Sequence, residues 1–109
     1  MNISNIIAVD METATSKIIV SAIYQYDRGL KLRLLNAPES DEFTLWVEMC
    51  NSGDAVIEHT VQYIGDDVEI PEELLLNGRD VEIYLFIKGD GWGKTIMTIN
   101  VRIELRPST

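Results

Sequence analysis

Two long stretches of alternation toward the C-terminal end constrain this chain more than anything else in it. Val81, Ile83, Leu85 and Ile87 alternate with Glu82, Tyr84, Phe86 and Lys88, and Met97, Ile99, Val101, Ile103 and Leu105 alternate with Thr98, Asn100, Arg102 and Glu104. A period of two sends successive side chains to opposite faces of a strand, so each stretch has one apolar face to bury and one polar face for solvent. Between them runs Gly89-Asp90-Gly91-Trp92-Gly93-Lys94, a glycine-rich loop. The pair reads as a β-hairpin, and a hairpin with an apolar face requires a second layer to cover it.

The rest of the chain supplies that layer. Residues 3–9 are apolar and β-compatible, and the β-branched and aromatic density of 18–26 favours a further strand. Leu30, Leu32 and Leu34 fall on one face with Lys31 and Arg33 on the other; Phe43, Leu45, Val47 and Met49 alternate with Thr44, Trp46, Glu48 and Cys50. Residues 55–63 and 68–70 complete the set. Turn-forming clusters punctuate it: the polar run 10–16, Asp27-Arg28-Gly29, the loop 36–42 around Pro38, Asn51-Ser52-Gly53-Asp54 and Gly65-Asp66-Asp67. The sole helical signal spans 71–76, where Pro71 opens a turn, Glu72 and Glu73 suit its N-terminus, and Asn77-Gly78 ends it. Its leucines are expected to plug one open end. The pattern predicts an all-β antiparallel sandwich of seven to eight strands, Ig-like or jelly-roll-like, with a closed barrel as the alternative. It forms a single domain over 1–106, followed by a tail or the start of a linker at 107–109.

A chain of 109 residues with 46% hydrophobic content can build one core without a metal or disulfide. Cys50 is the only cysteine, so no internal disulfide forms, and the first residues lack the basic flank and apolar stretch of a secretory signal, which places synthesis in a cytosol. A net charge of −9, spread along the chain, repels nucleic-acid backbones and anionic lipid; neither nucleic acid nor a membrane is expected as a partner. No apolar run approaches the roughly 20 residues of a membrane-spanning helix.

Gly93-Lys94-Thr95 resembles the end of a phosphate loop, but that motif needs a glycine where Lys88 stands, and it must open a helix rather than an alternating run. His59 and Cys50 are each single, and no nucleophile motif surrounds any Ser, Thr or Cys, so no catalytic residue, transition-metal site or cofactor is expected. The acids Asp66, Asp67, Glu69, Glu72 and Glu73 lack the spacing of a calcium-binding loop and read as a solvated edge, with an irregular calcium site left open. Trp92 at the hairpin tip is the residue best suited to packing or a protein contact. With Tyr84, Tyr26 or Tyr24 it would alternatively form a stacking platform for sugars.

Several short motifs, taken in order, carry a resemblance. Asp10-Met11-Glu12-Thr13 follows the first strand, Gln25-Tyr26-Asp27 marks a turn before the alternating segment 30–34, and Ile70-Pro71-Glu72-Glu73-Leu74 precedes the final strand pair. In that order they resemble the N-terminal β-sandwich domain of phage baseplate upper proteins and related tail-fibre or virion structural proteins of phages infecting Firmicutes. The resemblance covers nearly the whole chain. It implies a non-enzymatic structural protein of a virion, made in the bacterial host cytoplasm, that assembles with other virion proteins and with copies of itself in a baseplate, tail or head. The alternative it implies is a carbohydrate-binding module that meets a cell-surface glycan during host recognition.

Overall fold

The alternating apolar positions become the interface between two β-sheets. The computed structural model describes residues 6–13, 15–24, 29–54 and 56–105; the expectations placed on 3–5, on the turn at 25–28 and on the tail at 107–109 lie outside them. Among the described residues the elements are β1 (Ile6–Asp10), β2 (Lys17–Tyr24), β3 (Lys31–Leu35), β4 (Phe43–Asn51), β5 (Glu58–Gln62), β6 (Val68–Glu69), α1 (Glu72–Leu76), β7 (Val81–Gly89) and β8 (Trp92–Glu104). They build one sheet of three strands, ordered β1-β3-β6, and one of five, ordered β2-β8-β7-β4-β5. The result is the expected all-β sandwich with one short helix.

Strand parity decides what lies between the sheets. Ile7 and Val9 of β1, Leu32 and Leu34 of β3 and Val68 of β6 join Leu45, Val47 and Met49 of β4, Val81, Ile83 and Leu85 of β7, and Met97, Ile99, Val101 and Ile103 of β8 in one buried cluster. Each such aliphatic side chain, fully withdrawn from water, stabilises the fold by about 1.5–3 kcal/mol before entropy is counted. Lys31 and Arg33 lie exposed on the far face of β3, as their parity requires. There Arg33 Nε and Nη2 donate to the two carboxylate oxygens of Asp67 at 2.9 and 2.8 Å.

Two pairings depart from the antiparallel expectation: β1 with β3 and β2 with β8 run parallel. The reason is connectivity. β1 belongs to the small sheet and β2 to the large one, and β3 returns to the small sheet, so neither β1 nor β2 turns back on a sequence neighbour through a hairpin. The remaining pairings, β3–β6, β4–β5, β4–β7 and β7–β8, are antiparallel.

The ends are closed differently. At one end, α1 buries Leu74 and Leu75 while Leu76 stays 43% exposed, so two of its three leucines form the plug. Asn51, 1% exposed, fastens it: its Nδ2 donates to the Leu74 carbonyl at 2.8 Å, and its Oδ1 accepts from Asn77 Nδ2 at 3.2 Å. At the other end the hairpin loop is shorter than expected. Only Asp90 and Gly91 turn the chain, with Gly91 at φ 75°, and Trp92, Gly93 and Lys94 already pair with β7 as strand residues. Gly93-Lys94-Thr95 is therefore extended backbone within β8, not the mouth of a helix. Tyr63 links the sheets by donating its amide to the Leu45 carbonyl and its hydroxyl to the Leu34 carbonyl.

Candidate functional site

Chemistry on this molecule concentrates on the outer face of the five-stranded sheet. Register sets Lys17 beside Thr98, Thr98 beside Tyr84 and Tyr84 beside Glu48; one step along, Ile19 lies beside Asn100, Asn100 beside Glu82 and Glu82 beside Cys50. These outward positions of β2, β8 and β7 frame an open groove of about 570 Å³, lined by Lys17, Ile19, Glu82, Tyr84, Asn100 and Arg102 among others. Within it the Tyr84 hydroxyl donates to Glu82 Oε2 at 2.7 Å, and Asn100 Nδ2 donates to Glu82 Oε1 at 3.4 Å. The hydrogen bond to Glu82, reinforced by partial burial and by the Glu82 charge, pushes the Tyr84 phenol up to about 12. The groove thus offers a fixed carboxylate, an amide and a phenol, flanked by an ammonium and a guanidinium.

Further along the same face, Trp46 and Phe86 are cross-strand neighbours with ring centroids 6.5 Å apart and planes 11° from parallel. Trp46 Nε1 donates to Thr44 Oγ1 at 2.8 Å, which leaves the indole ring held flat beside Phe86. Sequence reasoning passed over this pair. The available signal was parity: Trp46, Tyr84 and Phe86 occupy positions where the alternation reserves a polar residue.

Trp92 takes a different place from the one a stacking platform needs. It pairs with Gly89, and Gly89 pairs with Phe43, so all three share the core-side parity of Leu45 and Ile87 at the hairpin end. The indole lies across Gly89, where a side chain would otherwise stand, and meets Phe43 edge-on at a centroid distance of 6.4 Å. It folds back over the sandwich end and remains 45% exposed. Tyr84 lies on the opposite face and five residues up β7, about 17 Å along the strand. The two aromatics therefore do not form a common plane. Tyr26, the third expected contact, lies outside the described residues.

Cys50 and His59 are also separated by the sheet, because Cys50 shares the outer parity of Glu82 while His59 pairs with the inward Met49. Burial pushes the Cys50 thiol up, and the neighbouring carboxylates Glu48, Glu82 and Glu58 push it further, which disfavours the thiolate. His59 Nε2 lies 2.8 Å from Glu73 Oε1 and ties β5 to α1. In the acidic segment, Arg33 holds the Asp67 carboxyl below its ordinary range through their hydrogen bonds. With Asp67 turned to Arg33 and Glu73 to His59, no group of three acids, histidines or cysteines converges on a metal site among the described residues.

Two motifs of the sequence acquire local explanations. Asp10 Oδ1 accepts from the Glu12 amide at 3.0 Å and from Asn36 Nδ2 at 2.9 Å, while the Asp10 carbonyl accepts from the Thr13 amide, so Asp10-x-x-Thr13 is a turn tied to the loop after β3. Asn36 is the main cause of a lowered Asp10 carboxyl pKa. In Ile70-Pro71-x-x-Leu74, the Leu74 amide donates to the Pro71 carbonyl, and both Ile70 and Leu74 are buried. Compared with known protein families and with curated proteins, the chain matches none.

Proposed function

We propose that this chain is a non-enzymatic structural protein of a phage virion, a β-sandwich module that works through protein–protein contacts in a baseplate, tail or head. The virion setting is inferred from the order of motifs in the sequence. The observation that carries the assembly reading is the open border of the five-stranded sheet: β2 and β5 each pair on one side only among the described residues. Unpaired edges accept another strand through backbone hydrogen bonds. Exposed apolar side chains accompany them, with Ile19 at 64% on β2 and Ile64 at 77% just past β5.

Size-exclusion chromatography with light scattering, followed by capture of the virion proteins encoded beside this one, tests the reading. Self-association or a stoichiometric complex with a virion protein is expected. A strictly monomeric chain that binds none of them overturns it.

The groove beside Tyr84 favours a second reading, a carbohydrate-binding module for a cell-surface glycan. Glu82, Asn100 and Arg102 supply acceptors and donors for sugar hydroxyls around one aromatic ring. A glycan array decides it: under this reading Tyr84→Ala abolishes a signal that Trp92→Ala leaves intact, and an array without signal excludes it.

A further inference from the structure

We propose that β2 is the seam of a homodimer, in which two copies pair antiparallel through their free β2 edges about a two-fold axis at Ile19. The two five-stranded sheets would then continue as one. This rests on the assembly reading above and names its partner as a second copy of the chain.

The backbone sets the template. The Ser16 carbonyl accepts from the Thr98 amide at 2.9 Å, so Ser16, Ile18 and Val20 turn their peptide groups toward β8. By alternation, Lys17 and Ile19 turn theirs outward, where no strand among the described residues meets them. An edge of this kind is normally blunted by charge, by proline or by brevity. β2 is eight residues long, contains no proline, and carries its one charge, Lys17, at its first position. The irregularity between Val20 and Ile23 confines the straight template to the first half of the strand.

The first half is self-complementary. With Ile19 opposite Ile19 of the second copy, the two residues exchange both N–H···O bonds, as a hydrogen-bonded antiparallel pair does. Ile18 then faces Val20 of the other copy on the core side. Lys17 faces Ser21, so like charges do not meet. The neighbouring register, centred on Ile18, sets the Lys17 ammonium against Ile19 and forfeits the apolar pair. The Ile19 register covers the residue that the monomer leaves 64% exposed with a second apolar side chain.

Sedimentation velocity of the full chain over a concentration series is the test, with a reversible dimer as the expected result. Ile19→Lys places two ammonium groups face to face on the axis and should weaken the dimer at least about tenfold while circular dichroism stays unchanged. In a Cys50→Ser background, Ile19→Cys should cross-link to its copy on mild oxidation, whereas Lys17→Cys should not. A wild-type chain that stays monomeric at every concentration overturns the seam even if it binds a virion protein, and the assembly reading then survives. A dimer that Ile19→Lys does not weaken, or in which Ile19→Cys fails to cross-link, also overturns the seam and leaves self-assembly standing through another surface.

Discussion

Asn51 shows how much one polar residue can hold when it is buried. Its amide satisfies the Leu74 carbonyl and accepts from Asn77, which fixes α1 over the open end of the core. Asn51→Ala leaves the Leu74 carbonyl without that donor in a dry environment, and a loss of about 1–3 kcal/mol is expected from urea unfolding. Tyr84 offers a prediction in pH. Its phenol is raised from an ordinary 10.0 to about 12 in the folded protein, chiefly by the bond to Glu82. A raised folded value means that this contribution to stability is complete below pH 10 and is lost as pH rises toward 12. Burial also pushes the Tyr63 phenol up, so absorbance titration of the phenols should show a late phase to which Tyr84 contributes, and Glu82→Gln should move the Tyr84 part of it to lower pH. Neither role was legible in sequence. Asn51 reads as part of a polar turn cluster because its partners Leu74 and Asn77 lie more than twenty positions away, and Glu82 reads as one more outward charge because period shows only that it and Tyr84 share a face, not that they bond there with Asn100 across the strand pair.

The elements were more legible, since a strand announces itself by local period. The alternating runs in β3, β4, β7 and β8 turn inward the face that their parity assigns, although Phe43 and Ile87 are only half-buried and Leu105, just past β8, is 66% exposed; the short helix falls where Pro71 and Asn77-Gly78 bound it. The hairpin between β7 and β8 is where local reading fell short. Its glycines suggested a six-residue loop, yet the turn uses only Asp90 and Gly91, and Gly89 serves a different purpose by making room for the Trp92 indole. Gly89→Ala must displace that ring. In a Trp46→Phe background, which leaves Trp92 as the only tryptophan, stronger acrylamide quenching of tryptophan emission and a loss of about 1–3 kcal/mol are expected. Unchanged quenching would mean that the indole does not rest on Gly89. The same cross-strand pairing explains why Trp92 and Tyr84 cannot act together: parity on a hairpin fixes the face of a side chain, and theirs are opposite.

At the scale of the whole molecule, charge and topology set the behaviour. A net charge of −9 on a domain this small repels itself, so the melting temperature should rise as sodium chloride is added and should level off once screening is complete. A melting temperature that falls with salt would indicate that attractive pairs such as Arg33–Asp67 outweigh the excess of acids. By itself the sequence determined the class of the fold, the strands and the side of β3, β4, β7 and β8 that turns inward, because period, turn chemistry and apolar content act over a few residues. Tertiary structure alone decided that β1 pairs in parallel with β3 and β2 with β8, that β2 is an open edge among the described residues, and that Glu82, Tyr84 and Asn100 meet in one groove. Those outcomes follow from which strands become neighbours, and neighbourhood is set by packing two sheets around a shared core rather than by any local run of residues.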